Sequence, residues 1–252
     1  MVSIYFECDE GRRDELSAEL NERGTLGILE LAGGLRAWFD TAEGVEDLIE
    51  QFDADVVEEP VSDEDWVRKT EASFPAMPLG KRFWLAPEWN HEPAPEGRMR
   101  LEITPGMACG TGWHECTQMC LEVLERAVTP GCSVLDVGTG SGILSVAAKM
   151  LGAGRVISCD IDPEAVEIAR ERIGGNTVYT GTADAAASGQ FDIVVANISP
   201  QVVRDLYPEF RRAARMGGIL VVSGFGDYPL DVEPAEMERR GEWLCAVLPM
   251  NG

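Results

Sequence analysis

Three glycines spaced two residues apart give the clearest indication of a ligand-binding site in this sequence. Gly138, Gly140 and Gly142 form a turn signal within a few residues of each other. The turn follows Ser133–Val137, a predicted buried strand, and precedes Ile143–Leu151, a predicted helix. Glycine lets a ligand approach the backbone closely, and a helix N-terminus presents free amide groups. The turn therefore predicts a ligand site at the carboxyl end of a strand.

The glycine spacing distinguishes among nucleotide-binding turns. A dinucleotide fold expects G-x-G-x-x-G, and its third glycine would fall on Ile143. A phosphate-binding loop ending in G-K-[ST] is also absent from this segment. The pattern is instead D-x-G-x-G-x-G, with Asp136 two residues before the first glycine. A glycine-rich turn without a ligand is the alternative, although such a cluster is costly in backbone entropy unless it has a use.

An acidic residue at the end of the next predicted strand favours a nucleoside ligand. Asp160 ends the strand that begins at Arg155 and lies 22 residues after Gly138, where an acid can accept hydrogen bonds from ribose hydroxyls. Asp162 is close by, but it precedes Pro163 and is expected to cap the helix that this proline opens. We therefore assign the ribose contact to Asp160.

A second segment, residues 102–118, resembles a known family. It reads Glu-Ile-Thr-Pro-Gly-Met-Ala-Cys-Gly-Thr-Gly-Trp-His-Glu-Cys-Thr-Gln. It is similar to the P-G-x-A-F-G-T-G-T-H-P-T-T segment of the PrmA family, and the glycine turn resembles the first motif of class I methyltransferases. Further similar blocks lie at 65–69, 83–87, 160–166, 195–198 and 223–224.

The resemblance implies an S-adenosylmethionine-dependent methyltransferase. The family's acceptors are lysine side chains and the N-terminal amine of the large-subunit ribosomal protein numbered eleven. By matching the family's motifs, the predicted cofactor-binding residues are Thr117, Asp136, Gly138, Gly140, Gly142, Asp160 and Asn197. Asn197 is also the predicted catalytic residue, because an amide carbonyl beside the sulfonium could orient an incoming amine.

Other interpretations of single residues stay open. Asn197 could be a turn residue that ends a strand before Pro200. His114 matches the histidine of the family's loop, which implies a structural or substrate-positioning role, and Trp113 could form part of an apolar channel for the substrate amine. A general-base role is the alternative for His114, and core packing is the alternative for Trp113.

Some residues depart from the family pattern. Cys109, Trp113, Glu115 and Cys116 stand where the family has Phe, Thr, Pro and Thr. These differences leave open a methyltransferase that acts on another protein lysine or on a small amine. More distant alternatives are a nicotinamide-dependent oxidoreductase, which the glycine spacing opposes, and a non-catalytic binding protein, which the retained cofactor positions oppose.

The pattern of predicted strands and helices divides the chain into three parts. Residues 99–252 alternate strands and helices, which indicates an α/β fold with a Rossmann-like, doubly wound sheet of the class I methyltransferase type. Only one clear strand follows Pro234, so the last hairpin of that sheet is expected to be reduced. Residues 1–60 follow the order β-α-β-β-α-β of a small ferredoxin-like α+β domain. The resemblance to the PrmA family implies that this domain recognises the substrate. Residues 61–98, rich in proline, are expected to form a connector.

Charge and cysteine content limit the partners. The net charge of −23 disfavours nucleic acid and favours a basic protein, and residues 1–60 hold 17 acidic residues against 4 arginines. Seven scattered cysteines without a Cys-x-x-Cys pair, with only two histidines, predict no metal site and reduced thiols in the cytoplasm. No signal peptide or membrane span is expected. We expect a monomer.

Overall fold

The structure, a computed structural model, describes residues 2–8, 10–31, 33–52, 54–58, 74–103, 112–174 and 177–250. The chain divides into two compact units, Met1–Ala72 and Ser73–Gly252. The block 65–69 and residues 104–111 of the segment 102–118, which include Cys109, lie outside the described residues. Within the described ranges, no helix is both long enough and apolar enough to cross a membrane.

The first unit has the element order β-α-β-β-α-β that the sequence predicts. Its elements are β1 (Val2–Glu7), α1 (Glu10–Glu22), β2 (Gly27–Leu31), β3 (Gly34–Phe39), α2 (Glu46–Phe52) and β4 (Asp55–Glu58). The sheet order is β2-β3-β1-β4, and each neighbouring pair is antiparallel. Alternate residues such as Ile4 and Phe6 face Leu16, Leu20 and Leu48 of the helices and form the core of this unit.

The second unit contains a three-stranded and a seven-stranded sheet. Its strands are β5 (Met77–Leu79), β6 (Phe83–Pro87), β7 (Met99–Ile103), β8 (Ser133–Val137), β9 (Arg155–Asp160), β10 (Val178–Thr180), β11 (Phe191–Asn197), β12 (Ala214–Phe225), β13 (Glu236–Arg240) and β14 (Trp243–Met250). Its helices are α3 (Glu115–Ala127), α4 (Ile143–Met150), α5 (Pro163–Ile173) and α6 (Pro200–Ala213). The larger sheet has the order β10-β9-β8-β11-β12-β14-β13.

The larger sheet is the doubly wound α/β sheet that the sequence predicts. Strands β8 to β12 are paired in parallel, and β14 joins β12 antiparallel. Ile193 and Val195 of β11 face a core shared with α3 and α4, whereas Val194 and Ala196 face a core shared with α6. Burial on both faces explains why these strands are continuous apolar runs.

The final hairpin corrects one expectation. The sequence predicted a single strand after Pro234, but β13 pairs antiparallel with β14 over five residues and completes the sheet edge. Four of the five residues of β13, Glu236–Arg239, are exposed. An edge strand of this kind has no alternation of apolar and polar residues, so its sequence lacks a strand signal.

Two strands of the smaller sheet, β5 and β6, fall in residues 61–98, the segment that the sequence treats as a connector. Strand β5 pairs antiparallel with β6, and β6 pairs in parallel with β7. Leu79, Phe83 and Leu85 belong to the same core as α3 and α4. Residues 74–98 are therefore part of the second unit, because these apolar side chains are buried in its core.

Candidate active site

A cavity of about 640 Å³ lies at the carboxyl ends of β8, β9 and β11. Strand β8 lies between β9 and β11. From β8 the chain first adds β9 and β10 toward one edge of the sheet and then adds β11 and β12 toward the other edge. Ligands of open α/β sheets bind at such a switch point. The predicted residues that line this cavity are His114, Thr117, Gly138, Gly140, Asp160 and Asn197.

The glycine turn forms the floor between β8 and α4. Gly138 has a φ of 71°, and a Cβ at this position would lie 2.3 Å from Cγ2 of Ile198. Only glycine combines this backbone conformation with the close approach of the loop after β11. Gly142 does not line the cavity; it is the N-cap residue of α4. The turn therefore uses its glycines for two purposes, access to the cavity and entry into the helix.

Asp136 supports the turn from below instead of lining the cavity. It is fully buried, and its Oδ2 accepts hydrogen bonds from Thr139 Oγ1 and Ser145 Oγ, both at 2.7 Å. Burial raises the pKa of Asp136 to about 6, although the two hydroxyl donors oppose the shift. Asp136 does not line the cavity, so its position indicates that it shapes the turn and does not make the direct ligand contact that the sequence predicted.

Asp160, the last residue of β9, and Asp162, two residues later, have different partners. Asp160 lines the cavity, and its Oδ2 accepts a hydrogen bond from Gly140 N at 2.9 Å. Asp162 is the N-cap of α5, where its Oδ1 accepts from Glu164 N at 2.9 Å. A carboxylate oxygen can accept a second hydrogen bond, so Asp160 can hold the turn and still accept from ligand hydroxyls.

Asn197 and Thr117 meet across the cavity wall, from the end of β11 and the first turn of α3. The Asn197 Nδ2 donates to Thr117 Oγ1 over 3.2 Å. This bond fixes the orientation of the amide, which leaves its Oδ1 as a hydrogen-bond acceptor. The pair can therefore present a carbonyl oxygen to a donor group in the cavity.

His114 and Trp113 lie beside each other in sequence but face different surroundings. His114 is the N-cap of α3, where its Nδ1 accepts a hydrogen bond from Cys116 N over 3.3 Å. Its ring packs edge-on against Trp243, with 4.7 Å between the ring centroids. An accepting Nδ1 places the proton of a neutral ring on Nε2, so this geometry does not favour Nε2 as a base. Trp113 does not line the cavity; its Nε1 donates to Pro75 O, and its ring packs on Phe74 at 4.8 Å.

Several lining residues were not foreseen from the sequence. Ile161 is 74% exposed and, with Val202 and Leu206, gives the cavity an apolar side. A large apolar residue between Asp160 and Asp162 was a usable signal. Trp243 also lines the cavity, but it comes from the start of β14, so only the tertiary fold brings it to the site. Together these groups suit a ligand with hydroxyls at one end and an apolar ring.

Comparison with known proteins assigns the chain to a family. The family model described as "Ribosomal protein L11 methyltransferase (PrmA)" matches residues 25–231. A ribosomal protein L11 methyltransferase of Burkholderia multivorans is 44% identical over 180 residues, which are 71% of this chain and 58% of that protein. One from Burkholderia cenocepacia is 46% identical over 166 residues, or 65% and 55% of the two chains. The aligned part of this chain thus spans a little over half the length of these relatives.

A solved structure has the same fold. The crystal structure of the ribosomal protein L11 methylase from Lactobacillus delbrueckii subsp. bulgaricus matches with a TM-score of 0.61 at 30% sequence identity. The match covers 68% of this chain and 96% of that chain.

Proposed function

This chain belongs to the ribosomal protein L11 methyltransferase (PrmA) family, and from that membership we propose that it transfers methyl groups from S-adenosylmethionine to amines of ribosomal protein L11. The proposed acceptors are lysine side chains and the N-terminal amine. The observation that carries the proposal is that Asp160, the glycine turn and Asn197 line the same cavity. We propose that the protein acts in the cytoplasm as a monomer, without a nucleic-acid partner.

The residues of the cavity fit S-adenosylmethionine. The Asp160 carboxylate is available for ribose hydroxyls, and the exposed side chain of Ile161 offers an apolar surface to the adenine. Thr117, Gly138 and Gly140 would hold the remaining polar groups of the cofactor. When bound, S-adenosylmethionine supplies a methyl carbon activated by the sulfonium, which an amine attacks in line with the bond that breaks.

Asn197 would orient the attacking amine. Its Oδ1 can accept a hydrogen bond from an amine N–H, and this aligns the nitrogen lone pair with the methyl carbon. An amine must be neutral to attack, and lysine has an unperturbed pKa near 10.4. Trp243 and Ile198 line the cavity and would lower the pKa of a bound amine by excluding water. Water can then accept the released proton, so His114 is not needed as a base.

The first unit would bind the substrate protein. Residues 1–60 hold 17 acidic residues against 4 arginines, a charge that complements a basic ribosomal protein. This assignment makes the first unit the substrate-recognition domain and the second unit the catalytic domain.

A methyl-transfer assay tests the proposal. Purified protein, isotope-labelled S-adenosylmethionine and ribosomal protein L11 are incubated, and the products are mapped by mass spectrometry. We expect label on lysine side chains or on the N-terminal amine of L11, and far less label with Asp160→Ala when the cofactor concentration is close to the wild-type dissociation constant. Label on another basic protein or on free lysine, but not on L11, would overturn the proposed substrate. A chain that does not bind the cofactor would overturn the activity.

A further inference from the structure

Arg172, in the last turn of α5, connects the glycine turn to the smaller sheet. Its Nη1 donates to the backbone oxygen of Ser141 over 2.7 Å, and its Nη2 donates to the backbone oxygen of Glu102 in β7. Ser141 lies between Gly140 and Gly142 of the turn. One guanidinium group therefore joins the turn on the larger sheet to the last part of β7.

The environment of this guanidinium indicates a built contact. Burial lowers the pKa of Arg172, and the nearby carboxylates of Glu102 and Glu88 oppose that shift. A partly buried charge is retained at a cost in solvation unless it is paired and hydrogen-bonded. Hydrogen bonds from a charged donor are also stronger than neutral ones. The two carbonyl contacts, together with these carboxylates, thus compensate for the burial of Arg172.

The smaller sheet in turn supports one wall of the cavity. Residues 112–117 contribute His114, Cys116 and Thr117 to the lining. At the start of this wall, a Cβ on Gly112 would lie 2.8 Å from Cδ1 of Ile143 and 3.0 Å from Cδ1 of Leu85. The wall therefore begins at a residue that packs closely against both Leu85 of β6 and Ile143, the first residue of α4. Arg172 links the same smaller sheet to the turn that precedes α4.

We infer that Arg172 is a positioning residue for cofactor binding, although it does not line the cavity. The inference rests on the proposed function, because it assumes that the cavity binds S-adenosylmethionine. Without the guanidinium, the carbonyls of Ser141 and Glu102 lose the donor that they share. The turn that carries Gly140, the partner of Asp160, is then no longer held against the sheet behind the cavity wall.

Arg170 provides a matched control on the same helix. Its Nη2 donates to the backbone oxygen of Val178 in β10 over 3.2 Å, a contact away from the glycine turn. Arg170→Met and Arg172→Met therefore remove the same kind of side chain and differ in which contacts they remove. Arg172→Lys keeps a charged donor that can reach one carbonyl, so it serves as the conservative variant.

The experiment measures the dissociation constant for S-adenosylhomocysteine by calorimetry and the thermal midpoint for each full-length variant. We expect Arg172→Met to weaken binding about tenfold, Arg172→Lys to weaken it less, and Arg170→Met to change it less than about twofold. Should Arg172→Met not fold, Arg172→Lys carries the comparison.

Two results would overturn the inference. The first is wild-type affinity in the Arg172 variants, even with a lowered thermal midpoint. The second is an equal loss of affinity in Arg170→Met, which would indicate a general effect on α5. If the wild-type chain itself bound no S-adenosylhomocysteine, the proposed function would fail first, and the inference with it.

Discussion

At the scale of single residues, Asp160 and Asp162 allow ligand binding to be separated from helix stability. Asp160→Ala removes the carboxylate that faces the cavity, so we expect the dissociation constant for S-adenosylmethionine to rise roughly 100-fold, since hydrogen bonds to a charged group are strong. Asp162→Ala removes only the cap of α5 and should cost about 1 kcal/mol of unfolding free energy with little change in binding. Calorimetry and urea denaturation distinguish the two; a reversed pattern would mean that Asp162 holds the ribose.

Asn197 is the residue whose removal should affect the transfer step itself. Asn197→Ala removes the proposed acceptor for the amine and the donor to Thr117, so the single-turnover rate at saturating cofactor should fall about 100-fold. Rapid-quench measurement with labelled cofactor checks this value. A variant with the wild-type rate constant and only a higher KM for L11 would place Asn197 in substrate binding alone.

Asp136 should make stability depend on pH. The pKa of Asp136 is raised from 3.8 to about 6 in the folded protein, so between these values the folded chain holds a proton that the unfolded chain has released. Its contribution to stability is therefore present below about pH 4 and is lost as the pH rises through about 6. Compared with Asp136→Asn, the wild type should lose about 2 kcal/mol of unfolding free energy from pH 4 to pH 7. If urea denaturation gave the same change of unfolding free energy with pH for the two proteins, the raised pKa of Asp136 would be contradicted.

At the scale of elements, the N-terminus of α3 depends on His114. The His114 ring accepts a hydrogen bond from Cys116 N, so His114→Ala should lower the unfolding free energy by about 1 kcal/mol beyond the loss of the contact with Trp243. His114→Asn also loses that contact but keeps a good N-cap. The difference between the unfolding free energies of the two variants, measured by urea denaturation, gives the contribution of the cap. Equal stability of the two would show that the ring contact, and not the cap, is what His114 contributes.

Elements with a strong local pattern could be predicted from the sequence. Ser133–Val137 was predicted with the bounds that the structure has, because a fully buried parallel strand is a short apolar run and the glycine turn marks its end. The sequence interpretation treated residues 102–118 as one segment and did not predict α3, although Cys116, Cys120 and Val123 lie on one buried face. Strand β13 could not be recognised, because its pairing with β14 is decided by tertiary contacts.

The site followed the same division. Asp160 and Gly138 could be placed from local sequence, since the strand before each residue ends at the cavity. Trp113 was expected to position the substrate, but its ring packs on Phe74, a contact that no local pattern encodes. Trp243 was missed for the same reason, because its position at the cavity depends on how β14 joins the sheet.

At the scale of the whole molecule, charge should govern how fast the chain associates with L11, its proposed substrate. The net charge of −23 gives a long-range attraction to a basic protein, and such attraction between exposed charges is screened within about 8 Å at physiological salt. The apparent KM for L11 should therefore rise severalfold between about 50 mM and about 300 mM salt, because association slows.

The cofactor provides the internal control for this salt effect. Its proposed contacts lie in a partly enclosed cavity, where bulk salt screens charges less, so its dissociation constant should change less than about twofold over the same range. Steady-state assays with L11 as the varied substrate measure its KM, and calorimetry measures the dissociation constant of the cofactor. A KM for L11 that did not respond to salt would mean that shape and apolar contacts, and not the acidic surface, select the substrate.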